Sequence, residues 1–137
     1  MRLSLAAELA LRGSLVLARR HGEGLVTLET VCAERDLPKQ YLTKIFALLA
    51  RADLVTAVRG KRGGYRLARS PDRITALDIV EAVEGPIVLN FCQHKPSLCS
   101  QRGCRIRPVW GELQKIIRDK LGSLTLKDCL EEGAREA

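Results

Sequence analysis

Residues 39–68 read "KQYLTKIFALLARADLVTAVRGKRGGYRLA", and a change of hydrophobic spacing inside this stretch decides the fold. Over residues 39–52 the apolar side chains recur every three or four positions, which predicts an amphipathic helix. Residues 55–58 are rich in β-branched side chains and lead into a glycine-rich turn, which predicts a β-hairpin over residues 55–68. The predicted buried face of the helix consists of Leu42, Ile45, Phe46 and Leu49.

Two more helices are predicted before this stretch. Residues 3–20 carry apolar side chains at helical spacing, and the "HGEG" that follows ends that helix. Thr27 is a suitable N-cap for a short helix that runs to about Arg35. Pro38 disfavours helical backbone at Leu37, so the turn "DLP" separates this helix from the next. Three helices followed by a hairpin form a winged helix-turn-helix, whose third helix enters a DNA major groove and whose hairpin is the wing.

The chain after the wing is predicted to be a loop, "SPDR", followed mainly by helices. "TALDIVEAVEG" at 75–85 begins with a capping box of Thr75 and Asp78. "TLKDCLEE" at 125–132 repeats that arrangement, and the tail after Gly133 is expected to be frayed. The fold class is therefore mainly α-helical with one small β-hairpin.

Between these two helices, "RPVWGELQKIIRDKL" at 107–121 predicts a longer helix that Pro108 opens. We expect its apolar stripe to pair with a second copy of the chain, and the alternative is a purely intramolecular role. The stripe consists of Val109, Leu113, Ile116, Ile117 and Leu121. The predicted organisation is a winged helix-turn-helix domain at 1–86, a cysteine loop at 87–105, and a dimerisation helix with a C-terminal short helix at 106–137.

The positive charge of the chain is concentrated on the predicted DNA-reading elements. The net charge is +7, and residues 35–69 alone hold nine basic and two acidic residues, a difference of +7. The remaining residues are balanced, with fourteen of each sign. This segregation favours a polyanion partner, double-stranded operator DNA, over a solvated basic hairpin with no partner.

Nine residues are predicted to contact DNA. On the third helix, Gln40 is suited to adenine and Thr43 to a base edge or a thymine methyl, whereas the two lysines are suited to phosphate. In the wing, the cations are expected to neutralise phosphates or enter a narrow minor groove, and Gly60 lets the backbone approach the duplex. The full set is Lys39, Gln40, Tyr41, Thr43, Lys44, Arg59, Gly60, Lys61 and Arg62.

Three of the five cysteines lie in the stretch "CQHKPSLCSQRGC", as Cys92, Cys99 and Cys104. This stretch is too rich in Gly, Pro and Ser to pack as core, whereas Cys32 and Cys129 are expected to be inert core fillers. Three thiolates need a fourth donor to complete a zinc or iron–sulfur site. The spacing lacks a Cys-x2-Cys pair, which favours iron–sulfur, and a thiol switch or a zinc site is the alternative.

Other classes of protein fit the sequence less well. No apolar run approaches the roughly 18 residues of a membrane span, and no clean signal-peptide cleavage site is visible. We expect a cytoplasmic protein, in whose reducing compartment structural disulfides are rare. The chain has two histidines and no phosphate-binding loop or paired carboxylates, so an enzyme is not expected.

The sequence resembles the Rrf family of winged-helix regulators, which includes IscR, NsrR and RirA. The resemblance runs nearly from end to end, and "VRGKRGGYRLA" followed by "ITALDIVEAVEGP", three cysteines, "CRIRPVW" and "LTLKDCL" is a specific combination. It implies a homodimeric transcription regulator, expected to be a repressor, whose three cysteines hold a [2Fe–2S] or [4Fe–4S] cluster. Through the cluster, such a regulator senses nitric oxide, redox state or iron supply.

The resemblance leaves the fourth ligand open. In the IscR-like branch a histidine lies three residues after the last cysteine, and here that position is Arg107, which cannot serve as a ligand. In the NsrR-like branch, the closer in motif, an acidic residue of the first helix reaches the partner subunit's cluster, and Glu8 occupies that position. A structural role for Glu8, exposed or paired with Arg12, is the alternative, and His94 is another possible donor.

Overall fold

The computed structural model of the chain describes residues 4–94 and 96–132. It confirms a mainly helical fold with one two-stranded antiparallel sheet. A single turn of 3₁₀ helix occurs at Pro71–Arg73, where a loop was predicted, and another at Phe91–Gln93. The helices and strands are α1 (Leu5–Arg19), α2 (Leu28–Arg35), α3 (Lys39–Arg51), β1 (Val55–Val58), β2 (Gly64–Leu67), α4 (Ala76–Glu84), α5 (Arg107–Gly122) and α6 (Leu126–Glu132).

Both ends of α2 and the start of α3 have the capping residues expected from the sequence. The side chain of Thr27 accepts a hydrogen bond from the backbone N–H of Thr30 and caps α2. Asp36 ends this helix in the left-handed region at φ 52°, which Asp tolerates better than most residues. Pro38 then occupies the N-cap of α3. These features set the direction in which α3 leaves the turn.

The core lies between α1, α3 and α4, and it is built mainly of aliphatic side chains. All four predicted core positions of α3 are buried. Gly13 of α1 permits the close approach, since a Cβ there would lie 2.9 Å from the ring of Phe46. Phe46 also stacks edge-on against Tyr65 of the wing, with ring centroids 4.7 Å apart. Helix α3 is therefore held from both sides.

The wing is fixed to the rest of the domain at its base. Strand β1 pairs with β2 in the register Val55↔Leu67 to Val58↔Gly64. Val26, just before α2, exchanges two backbone hydrogen bonds of 2.8 Å with Tyr65. The strand base is consequently tied to α2, whereas the turn beyond it is exposed.

The C-terminal helix returns to the DNA-binding head. The N–H of Leu126 donates to the carbonyl of Ile74 over 2.9 Å, and the N–H of Ala76 donates to the carbonyl of Leu124 over 2.8 Å. Leu126 is 0% exposed and belongs to the same core cluster as α1 and α3. Helix α6 thus contributes to the core of the head, while the predicted segment boundaries stay a prediction. The predicted fraying after Gly133 lies outside the described residues.

Helix α5 packs on α4 with one face and leaves a second apolar face exposed. Ile117 and Leu121 are half-buried, and none of the residues of α5 is fully buried. The predicted stripe is thereby divided, since its other members point away from the bundle. The exposed members are Val109, Leu113 and Ile116, and they continue the exposed Ile106.

Candidate nucleic-acid interface and cysteine loop

Helix α3, the start of α2 and the wing enclose an open groove of about 450 Å³. Thr43 and Ala47 of α3 contribute short side chains to its lining. The other lining residues are Thr27, Leu28, Glu29, Ala57, Val58, Arg59, Gly60, Lys61, Gly63, Gly64 and Tyr65. A groove between a recognition helix and a basic hairpin has the shape and charge to receive a DNA strand.

The structure places all nine predicted DNA contacts on the surface, in two groups. The α3 group lies in the first two turns of the helix, and Tyr41 is 57% exposed. The wing group lies at the turn between β1 and β2, where Gly60 adopts φ 110°, a conformation that favours glycine. Arg59, Gly60 and Lys61 line the groove. The assignment of individual residues to bases or phosphates stays a prediction.

Two of the α3 side chains have partners within the protein. The ammonium of Lys39 forms a 2.8 Å ion pair with a carboxylate oxygen of Glu29 in the first turn of α2. The hydrogen bond between them raises the pKa of Lys39 and lowers the pKa of Glu29. The hydroxyl of Thr43 donates to the backbone carbonyl of Lys39 over 3.1 Å. Both side chains are therefore hydrogen-bonded within the protein in the absence of DNA.

Glu29 is the charged residue of the groove lining, as the structure describes it, that lies outside the nine predicted contacts. An acidic residue in the first turn of a helix is common because it complements the helix dipole, so the local sequence gave no reason to single it out. Its proximity to Lys39 arises only when the helix-turn-helix has folded.

The cysteine loop holds its three thiols at partly buried positions. Cys92, Cys99 and Cys104 are half-buried and form no disulfides. Ser97 contacts the backbone of Cys99, and a guanidinium nitrogen of Arg107 donates to the Ser97 hydroxyl over 3.2 Å. Within residues 4–94 and 96–132, no three His, Cys, Asp or Glu side chains are grouped closely enough to hold a metal ion.

The surroundings of the loop nevertheless suit an anionic sulfur-ligated group. Nε of Arg107 and Nε1 of Trp110, at the start of α5, are buried N–H groups without an acceptor among the described residues. The amide of Gln93 lies 3.7 Å from the sulfur of Cys92. Buried donors of this kind stabilise thiolates and cluster sulfides by hydrogen bonding. Three thiols, and buried N–H donors on the helix that follows the loop, therefore fit an iron–sulfur cluster in chemistry, although the ligands are not grouped among the described residues.

Neither candidate fourth ligand, Glu8 or His94, belongs to a group of possible metal ligands among the described residues. Glu8 forms an ion pair of 2.5 Å with Arg12, one turn further along α1, and both side chains are about half exposed. His94 is exposed within the loop. Ligation by Glu8 from a second chain stays a prediction, because the structure describes one copy.

Cys32 and Cys129 lie on helices, as expected of filler residues. Both are half-buried, and Cys32 packs against the core cluster. Burial raises the pKa of the Cys32 thiol, with the nearby Glu29 carboxylate as a smaller cause. A raised pKa lowers the thiolate fraction and hence the reactivity of this cysteine.

Helix α5 connects the cysteine loop to the head. The side-chain amide of Gln114 donates to the carbonyl of Ile87 over 2.7 Å, just before the loop. Arg118 forms a 2.7 Å ion pair with Glu81 of α4. Glu84, at the end of α4, accepts a 2.7 Å hydrogen bond from the backbone N–H of Ser4 at the start of α1. If the loop displaced α5, the ion pair between Arg118 and Glu81 would transmit that displacement to α4.

Comparison with known proteins establishes the family. Residues 3–132 match the Rrf2 family, described as iron-dependent transcriptional regulators. The chain belongs to the Rrf2 family. It is 33% identical to the transcriptional regulator CymR of Bacillus subtilis, over 100% of this chain and 96% of CymR. The predicted resemblance is thereby confirmed at the level of the family, and placement in the NsrR-like branch stays a prediction.

Two solved structures of Rrf2-type regulators share the fold. The structure of CymR, described as the global cysteine regulator of B. subtilis, superimposes with a TM-score of 0.81 at 30% identity, covering 96% of this chain and 98% of CymR. That of the IscR of T. potens gives 0.80 at 32% identity, covering 100% of this chain and 93% of the other. The protein is accordingly a winged-helix, DNA-binding transcription regulator. None of the helices in the described part of the chain is long and apolar enough to cross a bilayer.

Proposed function

We propose that the protein is a homodimeric repressor whose Cys92, Cys99 and Cys104 hold an iron–sulfur cluster, and that the state of this cluster sets the affinity for operator DNA. The observation that carries the proposal is the cysteine loop itself, with three half-buried thiols, followed at the start of α5 by buried N–H groups of Arg107 and Trp110 that have no acceptor among the described residues. When bound, the cluster would supply a centre that reacts with nitric oxide or oxygen, or is lost when iron is scarce. Because a metal site often assembles only with its metal, separated ligands in the free loop are compatible with this proposal.

The homodimer is supported by the exposed apolar face of α5. Val109, Leu113 and Ile116 follow one another at helical spacing, and Ile116 is 63% exposed. An apolar stripe of this kind on a 16-residue helix is what a helix pair buries. A second copy of α5 presents the same stripe, and two-fold pairing also places two recognition helices on one operator.

A charge placed in this stripe tests the homodimer. Ile116→Glu puts two carboxylates into the proposed helix pair, so sedimentation should show a shift from dimer to monomer at micromolar concentration. Lys115→Glu introduces the same side chain next to it, at a position that is exposed and outside the stripe. This control should stay dimeric. A dimeric Ile116→Glu variant, or equal loss in both variants, would place the interface elsewhere.

The contacts of α5 suggest how the loop acts on DNA binding. Loss of the bound group would relax residues 92–104, and the hydrogen bond from Gln114 to the carbonyl of Ile87 would carry that change from the start of the loop to α5. Because Arg118 joins α5 to Glu81, the change would pass to α4, which packs on both α1 and α3. A shift of α4 relative to the wing would then alter the groove. Gln114→Leu removes the amide, and we expect it to weaken the response of DNA affinity to cluster loss.

Metal analysis of protein purified without oxygen tests the cluster. We expect visible absorption with matching iron and acid-labile sulfide, and the amount of each per chain separates [2Fe–2S] from [4Fe–4S]. Cys92→Ala should abolish the absorption and the response of DNA binding to nitric oxide, whereas Cys32→Ala should retain both. Colourless wild-type protein, obtained despite a functioning iron–sulfur supply in the host cell, would refute the cluster.

A heterodimer tests the predicted role of Glu8 as a ligand from the partner subunit. One chain carries Cys92→Ala with Glu8 intact, and the other carries Glu8→Ala with all three cysteines. If Glu8 ligates across the dimer, this heterodimer retains one complete site and one stable cluster. The Glu8→Ala homodimer should lose its clusters faster than wild type. Equal cluster lifetimes in the wild-type and Glu8→Ala homodimers would remove Glu8 from the site and leave its ion pair with Arg12 as its role.

A thiol switch is the second candidate, and two observations favour it. The thiols are not grouped with other donors in the described residues. The chain also resembles CymR, a regulator described by its link to cysteine, as closely as it resembles IscR. In this case mass spectrometry of oxidised protein should show a disulfide between two of the loop cysteines, and reduction should restore DNA binding. Stoichiometric zinc without colour would instead identify a zinc site.

A further inference from the structure

We propose that Glu29 limits the affinity of this interface for DNA of any sequence, by holding the Lys39 ammonium away from phosphate and by adding a negative charge to the groove. The proposal rests on DNA binding by the winged helix and is independent of the cysteine loop. It concerns a residue that lies outside the predicted contact set.

The geometry places both charges where a DNA strand would enter. Glu29 lines the groove together with Thr43 and the wing residues Arg59 and Lys61. It is the acidic member of that lining, in the part of the chain that the structure describes. The ion pair with Lys39 measures 2.8 Å, and its two side chains are 68% and 61% exposed. An anion beside the cations of the groove opposes a phosphate, and this repulsion costs binding energy at every sequence.

The Glu29–Lys39 ion pair either stays closed or opens when DNA binds, and each case lowers the affinity for DNA. If the pair stays closed, Lys39 remains neutralised and releases no counterion from the duplex. If it opens, Lys39 becomes available to a phosphate, but the Glu29 carboxylate is left unpaired beside the polyanion. An unpaired glutamate has an ordinary pKa of about 4.3, so it stays ionised near neutral pH and protonation does not relieve this repulsion.

The positive charge of the surrounding surface is large enough for DNA to bind even though Glu29 lowers the affinity. Residues 35–69 carry the whole excess of +7, and most of these cations are exposed. Strong sequence-independent binding sequesters a regulator on bulk DNA. A carboxylate at the edge of the groove weakens this sequence-independent binding without removing a side chain that reads bases.

The test is the salt dependence of binding to a 30-base-pair random-sequence duplex, measured by fluorescence anisotropy between 50 and 200 mM salt. Glu29→Gln keeps the side-chain shape and frees Lys39 for one more phosphate. The slope of log K against log salt should become steeper by about 0.9 per bound chain. The affinity gain over wild type should be about 3- to 4-fold larger at 50 mM than at 200 mM, which follows from that slope.

Glu34→Gln is the matched control, because it removes the same charge from the same helix at a carboxylate that pairs with Arg20, away from the groove. Its slope should remain that of wild type. The double variant Glu29→Gln/Lys39→Gln should also return to the wild-type slope, since the freed ammonium is gone. Wild-type affinity of Glu29→Gln at both salt concentrations, or a double variant whose slope is steeper than that of wild type, would overturn the proposal, whereas a higher affinity with an unchanged slope would identify the open pair. The Glu29 and Lys39 side chains are exposed and that of Glu34 is 24% exposed, so we expect every variant to fold, and circular dichroism melting checks this.

Discussion

Replacing Gly63 by Ala should damage the wing while leaving the helical core intact. A Cβ at this position would lie 2.1 Å from the carbonyl oxygen of Val58 and 2.9 Å from the carbonyl carbon of Arg59. Both are backbone atoms, so no side-chain rotation relieves the contact. The turn must open by roughly 0.9 Å to bring the first distance up to 3.0 Å, the least that Cβ atoms tolerate.

The consequences follow from the position of this glycine. Its N–H donates to the carbonyl of Gly60 over 3.0 Å, and the bond is lost when the turn opens. The three cations of the turn, Arg59, Lys61 and Arg62, then lose their fixed placement. If all three contact phosphates, the salt slope of binding falls by up to about 2.7 per chain. The helical core is untouched, so we expect a loss of stability of about 1–3 kcal/mol, a local backbone effect.

Binding to the random-sequence duplex, together with thermal melting, checks this prediction. Gly111→Ala is the control, because the nearest atom to its Cβ is 3.9 Å away and the residue lies within a helix, where Ala is favoured by about 0.5–1 kcal/mol. The control should bind DNA as wild type does. If Gly63→Ala also binds with the wild-type affinity and slope, the wing does not contact DNA and the reasoning is refuted.

Three further predictions concern stability and thiol reactivity. Leu126→Ala should lower the free energy of unfolding by about 3–5 kcal/mol in chemical denaturation, whereas Leu98→Ala, at a side chain 67% exposed, should change it by less than about 0.5 kcal/mol. The capping hydrogen bonds with Thr125 lower the pKa of Asp128. The contribution of Asp128 to the free energy of unfolding is therefore complete above its unfolded pKa, near 3.8, and is lost as the pH falls through the lower folded pKa. Asp128→Asn should make the free energy of unfolding less dependent on pH across this acid range. Because burial raises the pKa of Cys32, iodoacetamide at pH 8 should label it more slowly in the folded protein than in urea, and equal rates would contradict its burial.

Much of the fold could be predicted because it depends on interactions close in sequence. The capping box of Thr75 and Asp78 forms with both of its hydrogen bonds, and the pair at Thr125 does the same. The helix end at Asp36 and the glycine turn of the wing also follow from the conformational limits of single residues. Such interactions span three or four positions, so the sequence displays both partners together.

The candidate interface was predicted in outline for a similar reason. Charge segregation and a helix followed by a hairpin are visible along the chain, and the exposed positions of α3 follow from the helical period. The division of the α5 stripe was not predictable, since periodicity shows that a face is apolar but does not show whether the same chain covers it. Ile117 faces the bundle and Ile116 does not, and packing against α4 made that distinction.

The sequence by itself determined the helices, the wing, the positive surface and the three clustered cysteines, because each is a local pattern of shape or charge. Only the tertiary structure brought Glu29 to Lys39, tied Val26 to the wing, and returned Leu126 to the core of the head. Each of these contacts joins residues from different elements, so its existence depends on how the intervening chain folds. The ion pair matters most for function, since a carboxylate that complements its own helix dipole becomes, in the folded domain, a charge at the edge of the DNA-binding groove.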